Sequence, residues 1–304
     1  MKRLLFLGST CADVILPVPH LPRQGEDLTL LRQRVALGGC AYNACSAARL
    51  HGGAELTLFS PVGGGVWGAW VRDALAARGL VSPIPPLTEE NGCCYCLVDE
   101  EGERTFLCVH GAEYRFEAAW FPLLGEAPFD GAYLCGLELE EATGSILLDY
   151  FEARTPRRLY FAPGPRICHI LPERMARLCR LSPVFHLNAE EALSFTRAAD
   201  LETAMNRLFD LTRNDVIVTL GADGACVRTA RGFAQIPSVE VEVCDTIGAG
   251  DAHIGTIMAC EAQGMALTEA VRLANLTSAA VVSREGAELP VDAFRAWMRA
   301  HGEV

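Results

Sequence analysis

No apolar run in this 304-residue chain reaches the roughly 18 residues that a membrane-spanning helix requires, and Met1-Lys2-Arg3 leads into a short strand rather than a signal-peptide core. The expected location is the cytoplasm, with no membrane partner. Positive charge is short as well: 26 Lys and Arg stand against 38 Asp and Glu, a formal charge of −12. That excludes the basic footprint of a nucleic-acid binder and is compatible with a protein that meets an anionic ligand locally, through amides and a metal. Internal repeats and low-complexity segments are missing. So is a Gly-x-x-x-x-Gly-Lys-[Ser/Thr] loop, which excludes the P-loop nucleotide site. Cys93-Cys94-Tyr95-Cys96 holds one Cys-x-x-Cys, but no second pair follows at zinc-site spacing, and alternation along a strand would put neighbouring cysteines on opposite faces. The 13 cysteines are irregularly spaced and mostly lie in apolar runs, as Cys108 and Cys135 do. They read as free thiols of a reducing compartment, and the role of the Cys-rich stretch is left open.

Half of the chain is hydrophobic, enough for one large core. β-rich runs at 4–7, 56–59, 132–135, 158–161, 184–187 and 216–220 alternate with helical patterns at 42–50 and 67–78. Long Ala-rich helices follow at 254–261 and 267–283, and a last one at 291–301. This is the pattern of an α/β protein whose parallel sheet is covered on both faces. Two segments break the rhythm. Residues 93–98 and 104–109 read as a hairpin around Asp99-Glu100-Glu101-Gly102, and 13–35 reads as extended, with prolines at 17, 19 and 22. Neither supplies a covering helix, so together they make a small second sheet.

The most informative stretch is Asp245-Thr246-Ile247-Gly248-Ala249-Gly250-Asp251, followed by an apolar run. It reads as a tight glycine turn opening into a helix, taken to run from Ile254. Gly248 and Gly250 let backbone N–H groups crowd a point where negative charge can sit, and the positive end of the helix points there too. An aspartate beside a bound phosphate would be repelled unless it had work to do, and taking a proton from a hydroxyl is the natural task. The heptapeptide resembles the signature of the ribokinase-like (PfkB) family of carbohydrate and nucleoside kinases. The resemblance extends from Asp13 to Gly286, with further motifs in the family's order. It implies a three-layer αβα fold, here one domain over 1–304, with a β-sheet lid formed by insertions at about 13–36 and 91–110.

By this resemblance Asp251 is the catalytic base, and Gly248, Ala249 and Gly250 supply the anion-stabilising amides. The acceptor would lie against Gly38, Gly39 and Asn43 of Gly38-Gly39-Cys40-Ala41-Tyr42-Asn43, with Asp13 and Glu138 on its hydroxyls. Asn188 and Glu191 of Asn188-Ala189-Glu190-Glu191 match the motif that organises Mg²⁺ and phosphate, Glu191 acting through water; the same spacing is also a helix capping arrangement. Thr219, Gly221 and Gly224 would lie near the phosphates and ribose, and Asn275 along the adenine side. Asp245 and Gly286 mark a K⁺ site by resemblance alone. Three positions depart from the family: Cys40 stands where a lysine is usual, Gly65 where an Asp is, and Glu113 where an Asn is common. Arg104 reads as a lid arginine facing solvent, or one that swings over the phosphates. The implied activity is ATP-dependent phosphorylation of a hydroxymethyl group of a sugar, in a homodimer paired through the lid. A nucleoside kinase, with Tyr42, Phe106 and Val109 walling a base, is the alternative. A non-catalytic sugar or nucleotide sensor is a further one.

Overall fold

The computed structural model describes every residue except 31, 102 and 304. Gly102 of the expected hairpin turn therefore lies outside the described residues. The chain builds two sheets. The larger has eight strands: β1 (Lys2–Leu7), β4 (Ala54–Phe59), β7 (Gly131–Cys135), β8 (Leu159–Ala162), β9 (Val184–Asn188), β10 (Val216–Thr219), β11 (Ala225–Thr229) and β12 (Gly232–Ile236). Their order is β12-β11-β10-β9-β8-β7-β1-β4. The six strands from β4 to β10 are parallel, and β11 and β12 add an antiparallel edge.

Alternation along the parallel strands explains both covering layers. Leu4 and Phe6 of β1 join one core with Tyr133 and Ile217, under α1 (Cys40–His51), α2 (Gly65–Ala77), α8 (Ala249–Ala262) and α9 (Leu267–Val282). Leu5 and Leu7 join the other core with Leu134 and Phe185, under α4 (Gly144–Ala153), α5 (Pro172–Arg180), α6 (Ala189–Thr196) and α7 (Leu201–Thr212). A short α3 (Gly136–Glu140) follows β7, and α10 (Val291–Ala300) closes the chain.

The small sheet has four strands in the order β3-β2-β5-β6: β2 (Cys11–Pro17), β3 (Arg34–Gly38), β5 (Cys93–Val98) and β6 (Arg104–Val109). One face, with Ala12, Leu37, Cys93 and Tyr95, packs on the core beside α1 and α2. The other carries Asp13, Cys94 and Cys108, register partners across three strands.

Candidate active site

Functional side chains gather outside the carboxyl ends of the parallel strands, where β1 turns to β4 on one side and β7 on the other. Open α/β sheets bind ligands at such a switch point. The helix α8 starts at Ala249, five residues before the sequence reading put it, because Gly248 serves as its N-cap. Gly248 has φ of 72°, and a Cβ there would meet that of Ala287 at 2.4 Å, so only glycine fits. Asp251 is thus already in the first helical turn. The amides of Gly248, Gly250 and Asp251 have no partner among the described residues, whereas Ala249 N–H leans on Thr246 O at 3.4 Å. A Cβ on Gly250 would meet nothing within 4 Å. These free amides at the positive end of a fourteen-residue helix make a cradle with an open front, an arrangement that can hold an anion.

Asp251 Oδ2 accepts from Asn43 Nδ2 at 3.0 Å. Burial pushes its carboxyl up to about 7, with Glu138 and Asp13 adding to the rise and Asn43 and Cys40 opposing it. Asn43 is one turn into α1, and its entry depends on both preceding glycines. A Cβ on Gly38 would lie 2.0 Å from Asp13 Oδ2, and one on Gly39 would lie 2.5 Å from Ser9 O. Burial likewise pushes Asp13 up to about 6. Glu138 lies on α3, directly after β7. It is fully buried and accepts from Ser9 N at 2.7 Å. Arg174 pins this turn by donating to Leu139 O at 2.6 Å and Glu141 O at 2.5 Å. Asn43 Oδ1, Glu138 Oε2 and Ser9 Oγ are buried with no partner among the described residues. Buried polar atoms are rarely left so, and a ligand rich in hydroxyls would satisfy all three.

On the other side of α8, Asn188 and Glu191 make a reciprocal capping box: Glu191 N donates to Asn188 Oδ1 at 2.8 Å, and Asn188 N to Glu191 Oε2 at 3.1 Å. Thr219 Oγ donates to Leu187 O at 3.3 Å, and Gly221 opens to space at φ of 60°. Gly224 is forced by φ of 88° and by Ile236 O, which a Cβ would meet at 2.1 Å. Asn275 is bonded on both side-chain atoms within the protein. Its Nδ2 donates to Ile236 O at 2.9 Å and Pro237 O at 3.2 Å, and its Oδ1 takes His253 Nε2 at 3.0 Å. Asn275 therefore fixes the loop after β12.

Asp245, buried at 4% exposure, uses both oxygens: Oδ1 accepts from Ile247 N at 2.7 Å and from the Arg104 guanidinium, and Oδ2 from Gly286 N at 2.6 Å. Arg104 is thus neither solvent-facing nor aimed at a phosphate; it ties the small sheet to the loop before the anion cradle. A cleft of 640 Å³ runs beside this pair, lined by Ile15, Arg32, Arg34, Val98 and Glu285 among others.

Residues 1–293 match the model of the pfkB family carbohydrate kinases. The chain belongs to this family of carbohydrate kinases. The uncharacterized sugar kinase YegV of Escherichia coli (strain K12) is 33% identical over 291 residues, covering 94% of this chain and 90% of that one. The fold is that of the ribokinase from Thermotoga maritima, at a TM-score of 0.82 and 18% identity over 98% of this chain and 99% of that one. The ribokinase of Cryptococcus neoformans var. grubii serotype A in complex with ADP superposes at 0.80, with 21% identity over 97% and 98%.

Several features of this kinase were not visible in its sequence motifs. Lys2, the chain's only lysine, starts β1 at the far end from the site and is bound to Asp130 at 2.8 Å. No lysine therefore stands beside the start of α8. Glu113 accepts from Gly92 N at 2.7 Å and Gly111 N at 3.0 Å, so both its oxygens serve the backbone. Gly65 has φ of 70° at the start of α2, where a Cβ would meet Glu90 Cγ at 3.3 Å. Tyr42 is buried in the core and Val109 lies on the face of β6 opposite Phe106, so these three do not form one wall. Among the described residues no helix is long and apolar enough to cross a membrane.

Proposed function

We propose that this kinase transfers the γ-phosphoryl group of ATP to a hydroxymethyl group of a sugar, with Asp251 as the base. The single observation that carries this reading is Asp251 itself: a carboxyl raised to about 7, fixed by Asn43, in the first turn of a helix whose free amides face open space. Asp13, Asn43 and Glu138 hold the acceptor's hydroxyls, with Gly38 and Gly39 admitting it closely. Asp251 takes the proton as the hydroxyl oxygen attacks phosphorus. The amides from Gly248 to Asp251 and the α8 dipole stabilise the transferring group, which is most of what phosphoryl transfer needs. Thr219, Gly221 and Gly224 line the nucleotide side, and the small sheet acts as the lid that excludes water. ADP release from Mg·ATP across pentoses, hexoses and nucleosides tests the reading. Turnover on free sugars with a primary phosphomonoester as product supports it; turnover on nucleosides alone favours the nucleoside kinase; tight binding without ADP would leave a sensor.

The residues fit Mg²⁺. Glu191 Oε1 has no partner among the described residues, and no cluster of three ligating side chains occurs among them. That suits an ion held chiefly by phosphate oxygens and water. Mg²⁺ held there by Glu191 through water would neutralise phosphate charge.

They do not fit an alkali cation at Asp245, whose oxygens are taken by two amides and by Arg104. The guanidinium supplies the positive charge that a K⁺ ion would bring. Turnover is therefore expected to be equal in potassium, sodium and tetramethylammonium buffers. Arg104→Gln leaves a buried charge unpaired, a loss of about 3 kcal/mol in stability, and potassium should recover part of it. Activation of the wild type by potassium would overturn this assignment.

The outer lid strand β6 leaves Phe106, Leu107 and Val109 exposed on an unpaired edge. Such an edge supports pairing of two lids into a homodimer. Light scattering should give twice the chain mass; a monomer would overturn the pairing.

A further inference from the structure

The alternation of β5 puts Cys93 into the packed face of the small sheet and turns Cys94 and Cys96 to the face that looks onto the site. The Cys-x-x-Cys pair is thereby split. A different pair forms across strands. Cys94 and Cys108 are directly opposed in the antiparallel β5–β6 ladder, and their sulfurs lie 3.3 Å apart. Cys94 is in turn the register partner of Asp13 in β2, so Asp13, Cys94 and Cys108 form one row across the sheet. Directly opposed residues of an antiparallel pair have Cα atoms about 4.5–5.5 Å apart, inside the roughly 4.4–6.8 Å that a disulfide spans.

We infer that Cys94 and Cys108 are a peroxide-oxidisable dithiol, whose closure to a disulfide weakens binding of the acceptor at Asp13. The two thiols are chemically unequal. Cys108 is exposed, and its hydrogen bond with Cys94, helped by His110 and Arg166, lowers its thiol to about 7. Cys94 is less exposed and is raised, first by the same hydrogen bond and then by burial. Cys108 is therefore the attacking thiolate and Cys94 the resolving thiol. The thiolate attacks one peroxide oxygen, the O–O bond breaks, and hydroxide leaves to become water. Cys108 is then a sulfenic acid. The Cys94 sulfur attacks the Cys108 sulfur, the S–O bond breaks, and a second water leaves. Two electrons pass from the dithiol to the peroxide, and one S–S bond is formed.

Closure draws the two sulfurs from 3.3 Å to about 2.05 Å, which moves β5 against β6 one strand away from Asp13. The effect on the acceptor rests on the phosphotransfer reading above; formation of the bond does not. The full-length protein is treated with equimolar to modest excess hydrogen peroxide, alkylated and digested with trypsin without reduction. Cleavage after Arg104 separates the two cysteines, so a disulfide appears as a two-chain peptide that reductant splits. Expected are this peptide, its absence from Cys108→Ser, and a dimedone-reactive Cys108 in Cys94→Ser. With an acceptor in hand, oxidation raises its KM several-fold, leaves the KM for ATP unchanged and is reversed by dithiothreitol, whereas Cys108→Ser is insensitive. Cys94 and Cys108 still alkylated when the exposed Cys168 and Cys244 are oxidised, or linked to other cysteines, would overturn the dithiol. A mapped disulfide with an unchanged acceptor KM would overturn its effect on binding. The peptide map needs no kinase activity, so failure of the phosphotransfer reading is seen separately.

Discussion

Asp251→Asn lowers kcat by at least roughly 10²-fold, the usual lower bound for loss of a general base, with little change in the KM for ATP. The change is nearly isosteric. The new amide oxygen still accepts from Asn43 Nδ2, which now reaches Asp251 at 3.0 Å, and the free amides of α8 are untouched. What disappears is the capacity to take a proton. The variant is also expected to fold at least as well as the wild type at pH 8. The Asp251 carboxyl is raised by burial to about 7, above the ordinary value of about 3.9. Its contribution to stability is thus fully present below that ordinary value and is lost as pH rises through about 7, where the buried group ionises. Removing the charge relieves this penalty above pH 7. Residual kcat within tenfold of the wild type, in a variant that is folded and binds ATP, would exclude Asp251 as the base.

Gly255→Ala should be the most damaging single-methyl change near the site. Gly255 lies within α8, where alanine alone would favour the helix by about 1 kcal/mol. Here its Cβ would lie 2.0 Å from Ala44 O and within 2.9 Å of Ala44 C and Cα, all backbone atoms of α1. No side chain can turn aside to make room, so α1 itself must back away from α8. Overpacking of this kind costs typically 1–3 kcal/mol, and rigid backbone argues for the upper end. The same displacement carries Asn43 away from Asp251, so kcat should fall in whatever protein remains folded. Denaturant unfolding measures the first effect and turnover the second. A gain of about 1 kcal/mol with kcat intact, as propensity alone would give, would show that the two helices are not held as described.

Much of this site was legible in the sequence because its glycines are local requirements. Gly248 and Gly39 have positive φ, and Gly38 is pressed against Asp13, so turn chemistry marked where the backbone passes close to Ala287, Ser9 and Asp13. The hairpin 93–98 and 104–109 was readable to the residue, since a period-2 pattern flanks a turn. The start of α8 was misplaced because Gly-Ala-Gly looks like loop, although Gly248 caps the helix from a left-handed conformation. The start of α6 is marked by Asn188, but α4, α5 and α7 are not set apart in the sequence, even though Pro172 opens α5 and Asp200 caps α7 by accepting from Thr203 N at 2.8 Å. Their short apolar stripes over the second core were not set apart from the loops around them. Long-range pairs had no local signal at all. Arg104 meets a partner 141 positions away, and the Cys94–Cys108 pair depends on the register of the ladder rather than on spacing. Asn188 and Glu191 form a capping box, and the same spacing fits the Mg²⁺-side carboxylate proposed above, so the pattern could not separate the two.

The pH dependence of kcat/KM for the acceptor, at saturating Mg·ATP, tests Asp251 most directly, because it reports the ionisation of the essential base in the enzyme awaiting acceptor. A carboxyl raised to about 7 must lose its proton to act, so activity should climb about tenfold per pH unit on the acid side and level off above an apparent pKa near 7. Asp251→Asn should lose this limb. A profile already flat from pH 5 to 8, or one breaking near the ordinary carboxylate value of about 4, would contradict a buried, raised Asp251 as the group that takes the proton.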